Sequence, residues 1–223
     1  MIPVAFEMES EAVETELEAR VGPVGKWTQA RDAQLKELSD LGLRPDMTLV
    51  DLGCGPLRAG LQLINYLDEG RYVGIDIDAG SIEAGKALVR RFGLEGKQAR
   101  LIHSETFGRV ELNRFGFADR IWCYQVMIHM PRDVALDCIS QIGRMLKPGG
   151  KAWVTARVQE EGDDFAVTGK WRGFPISEAG PSFFETAAEA AGMRYDTLPF
   201  GDPRSFNNSG RVAWKTLIEF TKL

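Results

Sequence analysis

Two short stretches decide the fold: Leu49-Val50-Asp51-Leu52-Gly53-Cys54-Gly55-Pro56 and, a helix-length later, Tyr72-Val73-Gly74-Ile75-Asp76. The first is an apolar run that ends in glycines, as a strand buried on both faces does. The second is a similar run that ends in an acid. The chain between them, Leu57 to Leu67, reads as a helix. The alternation then continues: a helix over Ser81–Phe92 with Gly93 just past its end, and strands at Arg100–His103 and Arg120–Tyr124. Val134, Cys138, Ile142, Met145 and Leu146 share one face of the next helix, which Pro148-Gly149-Gly150 ends. A fifth strand follows at Lys151–Ala156, and Pro181–Ala191 opens a helix with proline at its first turn.

Strands alternating with helices imply a parallel sheet covered on both faces. The two closing strands, Met193–Leu198 and Val212–Thr221, have no helix between them and are expected to pair antiparallel at one edge. The predicted class is α/β: a doubly wound, Rossmann-like, seven-stranded and mostly parallel sheet with one antiparallel edge strand. Two segments stand outside it. Residues 1–44 are expected to form an N-terminal helical cap on a 45–223 domain, and about 158–180, with Phe165, Trp171 and Phe174 among glycines and acids, reads as an insertion.

Composition bounds the function. The 223 residues are 44% hydrophobic and carry a net charge of −5. Six glutamates against Arg20 account for that charge within residues 1–20, so the remainder is neutral. A neutral body lacks the basic surplus that binds phosphate backbones, so no nucleic-acid partner is expected. No apolar run is long enough for a membrane span. Three scattered cysteines (Cys54, Cys123, Cys138) and no apolar, basic leader suit reduced thiols in a cytoplasmic protein. With only His103 and His129 to complement them, no metal is expected. Val13, Leu17 and Val21 make a narrow stripe on the acidic N-terminal helix, which suits either a solvated arm or a lid.

In such folds ligands bind beyond the carboxyl ends of the strands. Gly53 and Gly55 let the backbone approach a ligand or simply make a turn. Arg58 stands where a dinucleotide fingerprint wants its last glycine, and no Lys-Ser/Thr pair follows, so neither a pyrophosphate nor a phosphate loop fits. Asp76, at the end of the second strand, suits both hydroxyls of a ribose. A glycine turn with a ribose-binding acid and no phosphate features suggests an adenosine ligand without phosphates.

At these residues the chain resembles the class I S-adenosylmethionine-dependent methyltransferases. LVDLGCGPLRAG (Leu49–Gly60) looks like their first motif and YVGIDID (Tyr72–Asp78) like their second. Asp119–Pro131 is similar to their fourth-strand segment, and Leu146–Gly150 to the turn before the fifth strand. The resemblance implies S-adenosylmethionine as cofactor. Asp51, Gly53, Cys54, Gly55 and Arg58 would then lie at its methionine end, Asp76 at the ribose, and Ile77 against adenine. Ser104 and Glu105 would sit at the adenine amino group, Glu105 being alternatively a solvated loop acid, while Cys123 and Tyr124 would lie near the methyl group. Two departures stand out: Leu57 replaces the family's third glycine, and Ser104-Glu105 replaces its Gly-Asp.

His129 is the candidate general base, or else a structural histidine. Trp27, Arg31, Gln125, Trp171, Phe174 and Arg204 are candidate acceptor contacts, with Arg172 and Asn207 beside them. Aromatics with a few cations suit a small-molecule methyl acceptor. The Asn/Asp-Pro-Pro-Tyr/Phe segment of base and glutamine methylation is replaced by Tyr124-Gln125-Val126-Met127. A protein or RNA methyltransferase and a non-catalytic cofactor-binding protein are the alternatives, and a monomer or homodimer is expected.

Overall fold

The structure is a computed structural model, and it describes residues 1–7, 11–22, 25–159, 165–171, 173–199 and 216–223, with backbone alone at 11–14, 171 and 199. The chain divides into two compact units, 1–113 and 114–223.

The first unit holds α1 (Glu11–Val21), α2 (Trp27–Asp40), β1 (Leu49–Leu52), α3 (Gly60–Tyr66) and β2 (Tyr72–Asp76), then α4 (Ala79–Arg91), β3 (Arg100–His103) and the one-turn α5 (Arg109–Leu112). β1 pairs parallel with β2, and β2 with β3. All four β1 residues are buried, which is why the run carries no alternation. Asp78 starts α4 as its N-cap, its carboxylate accepting from the N–H groups of Gly80 and Ser81.

The cap segment is tied to this unit by specific polar contacts. Gln62 on α3 accepts from the Ala5 and Phe6 N–H groups through Oε1 and donates to the Phe6 carbonyl through Nε2 at 2.6 Å. Glu18 is only 2% exposed. Its carboxylate accepts from Gly25 N at 2.5 Å and Lys26 N at 2.7 Å, so one of the six N-terminal glutamates shapes the turn into α2. The solvated arm is thereby excluded for the C-terminal half of α1, where Leu17 is also buried.

The second unit holds β4 (Ala118–Cys123), α6 (Arg132–Met145), β5 (Leu146–Ala156), β6 (Phe165–Trp171), β7 (Phe174–Ala179), α7 (Pro181–Ala190), β8 (Met193–Pro199) and β9 (Thr216–Lys222). β4 pairs parallel with β5, while β9 runs antiparallel to both β5 and β8. The seven strands of the main sheet have the order β3-β2-β1-β4-β5-β9-β8, and β6 and β7 form a separate two-stranded sheet. β9 is the reversed strand, and the closing hairpin makes that edge of the sheet. β5 begins at Leu146, so Pro148-Gly149-Gly150 lies inside the strand segment, not before it. The expected insertion is the β6–β7 hairpin, which a Val158–Ala179 bridge attaches to the end of β5. Among the described residues no helix is long and apolar enough to cross a membrane.

α6 and α7 meet where Gly143 faces the backbone of Ala191. A Cβ there would stand 2.7 Å from the Ala191 carbonyl oxygen and 2.9 Å from its Cβ. Alanine gains about 1 kcal/mol over glycine as a helix former, whereas overpacking against backbone costs about 1–3 kcal/mol. Crowding wins, so Gly143→Ala is expected to lower the midpoint of thermal unfolding, read by circular dichroism; an unchanged or higher midpoint contradicts the close approach.

Candidate cofactor and acceptor sites

The glycine turn after β1 is built by backbone conformation. Gly53 and Gly55 have φ of 76° and 53°, and Leu57 has φ of 68°. Leu57 thus holds a left-handed backbone, at a strain of about 1–2 kcal/mol. Its side chain is fully buried, and a Cβ on Gly85 would stand 3.0 Å from its Cγ, so the missing Cβ of α4 is the room into which Leu57 packs. Burial of a leucine offsets that strain.

Asp76 ties this turn to β2. Its Oδ2 accepts from Gly55 N and its Oδ1 from Asp78 N, both at 2.8 Å. Each carboxylate oxygen has a second lone pair, which leaves capacity for ligand hydroxyls. Ile77 beside it is 62% exposed, an apolar side chain standing in solvent at a strand end. The last turn of α1 covers the loop: a Cβ on Gly55 would be 2.7 Å from Val21, Arg58 donates to the Gly22 carbonyl at 2.8 Å, and Arg20 pairs with Asp78 at 3.3 Å. Arg58 therefore holds the cap to the loop.

Asp51 lies beneath, buried, with its Oδ2 accepting from the Tyr72 hydroxyl at 2.7 Å. Burial raises its pKa to about 7, the Tyr72 hydrogen bond opposing and the nearby charge of Asp76 adding to the rise. Asp76 is raised as well, chiefly by burial. Burial likewise pushes the Cys54 thiol up, with Asp51 and Asp76 adding to it, so that residue is a neutral thiol packed under the turn. Two carboxylates held above their ordinary range fit a ligand that brings positive charge, as a sulfonium and an ammonium do. The residues present therefore fit S-adenosylmethionine.

After β3 the arrangement is self-contained. Ser104 Oγ accepts from Thr106 N at 3.1 Å and Gly108 N at 2.9 Å and donates to Glu111 at 2.7 Å. Ser104 is buried and shapes the loop, and Glu105 is exposed. The polar partner that organises this loop is Glu111, which the sequence reading missed for want of any pattern linking it to Ser104.

In the second unit, Tyr124 is buried and stacks on Trp122 at 5.7 Å between ring centres. Cys123 is fully buried. Gln125 takes φ of 60°, and its N–H donates to Thr155 Oγ1 at 2.7 Å. His129 ends a short 3-10 turn, Met127–His129, and its Nδ1 meets the Pro175 carbonyl on β7 at 3.0 Å. A carbonyl oxygen only accepts, so Nδ1 carries the proton and Nε2 the lone pair. Burial, partly opposed by that hydrogen bond, lowers the His129 pKa, and the Arg157 charge lowers it further, so the ring is neutral near pH 7. The Phe174 ring lies 6.3 Å from His129. Beside the 3-10 turn a small cavity of about 10 Å³, room for about one water, is lined by Met127, Ile128, Arg157, Phe165, Glu178 and Phe184 among others. Arg157 was not anticipated, although an ionisable residue directly after the fifth strand repeats the signal that marked Asp76.

Two expected acceptor contacts lie elsewhere. Trp27 is buried in the interior. Arg31 is 3% exposed, its guanidinium donating to Glu7 at 2.6 and 3.1 Å and to Asp32 at 2.8 Å, which anchors residues 1–7 instead of lining an acceptor wall. Arg204, Arg172, Asn207, the loop around them and the first residues expected in the last strand lie outside the described residues, as does the side chain of Trp171.

Asp51 makes a pH prediction. Its folded-state pKa of about 7 lies above its ordinary 3.8, so folding favours the protonated form. This contribution is intact below about pH 4 and is lost as pH rises toward 7, on the order of a few kcal/mol. Asp51→Asn is expected to gain stability relative to the parent between pH 5 and 8 in urea titrations, and equal curves at both pH values refute it.

Comparison with known proteins agrees with this geometry. Residues 49–150 match the family model described as a methyltransferase domain. A probable methyltransferase, ltbC, of Aspergillus luteorubrus is 30% identical over 109 residues, 46% of this chain. The chain spans only 37% of the length of that relative. Among solved structures, magnesium protoporphyrin IX methyltransferase (ChlM) from Synechocystis PCC 6803 with bound SAM superposes with a TM-score of 0.62 at 13% identity, covering 99% of this chain and 100% of that one. The 1,6-didemethyltoxoflavin-N1-methyltransferase of Burkholderia thailandensis gives 0.61 at 16% identity, covering 99% and 93%. At such identities these two structures establish the fold. Residues 49–150, just under half of the chain, are thus similar to a methyltransferase domain.

Proposed function

We propose that this chain is an S-adenosylmethionine-dependent methyltransferase acting on a small-molecule acceptor. The observation that carries the cofactor half is Asp76, whose carboxylate holds Gly55 N and Asp78 N while keeping acceptor capacity for a ribose. When bound, S-adenosylmethionine supplies an electrophilic methyl group on a sulfonium that departs as a neutral thioether. The chain's own part is to hold the adenosine at Asp76 and Ile77, to place negative charge from Asp51 near the methionine end, and to take a proton from the acceptor at His129 Nε2. The neutral charge of residues 21–223 supports a small molecule over nucleic acid.

Two measurements test this. Asp76→Ala is expected to weaken S-adenosylmethionine binding at least about tenfold in calorimetry, since a hydrogen bond to a charged group is worth about 1.5–3 kcal/mol. Unchanged affinity there, or no binding by the parent, ends the reading. His129→Ala is expected to lower turnover about 100-fold with cofactor affinity retained. Unchanged turnover makes His129 structural, and transfer of label to protein or RNA in place of extracted metabolites favours the macromolecular alternative.

A further inference from the structure

A buried hydroxyl ties the hairpin to the segment that carries His129. Ser177, within β7, is 3% exposed, while its neighbours Ile176 and Glu178 are only half-buried. Its Oγ donates to the Met130 carbonyl at 2.7 Å. That carbonyl lies one residue outside the α6 ladder, in which Ala135 N donates to the Pro131 carbonyl at 2.9 Å, and Met130 is itself buried. A buried carbonyl beyond the reach of the helix needs a donor from elsewhere, and Ser177 supplies it. Two positions earlier on β7, the Pro175 carbonyl accepts from His129 Nδ1 at 3.0 Å. Two hydrogen bonds therefore join β7 to the consecutive residues His129 and Met130. The far end of β7 is held separately, Ala179 N donating to the Arg157 carbonyl and Gln159 N to the Ala179 carbonyl, both at 3.0 Å.

We infer that Ser177 is a positioning residue for His129: its bond to Met130 docks β7 on the 3-10 turn, so that the Pro175 carbonyl keeps the imidazole proton on Nδ1 and the lone pair on Nε2. The inference rests on the reading of His129 as the base and adds the group that sets its tautomer. In a neutral imidazole, the hydrogen bond made at one nitrogen decides which of the two carries the proton. The Pro175 carbonyl makes that choice only while it stays within reach, and a shift of about 1 Å takes a 3.0 Å contact out of hydrogen-bond range. Pro175 stands opposite Lys170 in the hairpin and has no N–H to give to the ladder. Its own strand pairing therefore holds it less firmly than a residue with an N–H. The anchor at Ser177, two residues on, makes up for that.

The test reads the ring directly. The chain has 2 histidines, so long-range proton–nitrogen correlation spectra of the full chain at about pH 8 resolve the His129 tautomer, assigned by the signals that His129→Gln loses. The parent is expected to show a single tautomer with the proton on Nδ1. Ser177→Ala is expected to show a mixture of both tautomers. It is also expected to lower methyl transfer from labelled S-adenosylmethionine to extracted metabolites about tenfold, with S-adenosylhomocysteine affinity retained in calorimetry. Ser177→Thr keeps the hydroxyl and is expected to restore the Nδ1 tautomer and most of the turnover. Gly143→Ala, which disturbs the same unit at the α6–α7 contact, is expected to keep the parent's tautomer. A parent ring protonated on Nε2, a Ser177→Ala spectrum identical to the parent's, or a Gly143→Ala spectrum as mixed as that of Ser177→Ala overturns the inference. Unchanged turnover beside a mixed tautomer overturns it equally. A parent that transfers no label, yet shows the Nδ1 tautomer that Ser177→Ala loses, is instead a failure of the methyltransferase reading.

Discussion

The carboxylate of Asp76 is the contact on which the loops at the ends of β1 and β2 depend. It reaches from the end of β2 to the Gly55 N–H and the Asp78 N–H, so that two loops are positioned by one side chain. Ile75 completes the junction, its carbonyl accepting from Gly53 N at 2.7 Å. The turn after β1 is consequently set by β2, and the approach to α4 by the same acid. A charged acceptor suits this place because backbone N–H groups near a helix start carry partial positive charge.

The cap extends that arrangement. Val21, Gly22 and Arg20 each meet a different part of the glycine turn or of the α4 N-terminus, and Glu18 holds the turn that leads into α2. The exposed Arg20–Asp78 pair contributes little to stability by itself. Its interest lies in position: the same Asp78 that starts α4 is touched from above by the cap.

Much of the fold was legible locally. Apolar runs of strand length ending in glycine or acid, and helices with caps and stops, mark β1, β2, β3, β4 and α6 within a few residues, because buried parallel strands and amphipathic helices impose composition on neighbouring positions. The glycine turn was legible for the same reason. Leu57 shows the limit: a leucine gives no warning that it will sit at φ of 68°, a conformation sustained only by the space that Gly85, 28 positions later, leaves for its side chain. Arg31 and Trp27 show the other limit. Polar and aromatic types near a site suggested contact with an acceptor, and burial against residues 1–7 and the interior assigned them to packing.

The acceptor side depended on contacts that no local pattern encodes. His129 was recognisable as a titratable residue after the fourth strand, but its tautomer follows from Pro175, 46 positions away on a hairpin whose strands read only as an irregular insertion. Arg157 and Glu178 come together with Met127 and Ile128 only when that hairpin folds against the 3-10 turn. The succession of strands and helices, the glycine turn after β1 and the acid that ends β2 follow from short-range chemistry, since each needs only a few consecutive residues of the right type. Which nitrogen of His129 holds the lone pair, and which charge stands beside it, follow from burial and long-range hydrogen bonds, which come into existence only when the chain has folded.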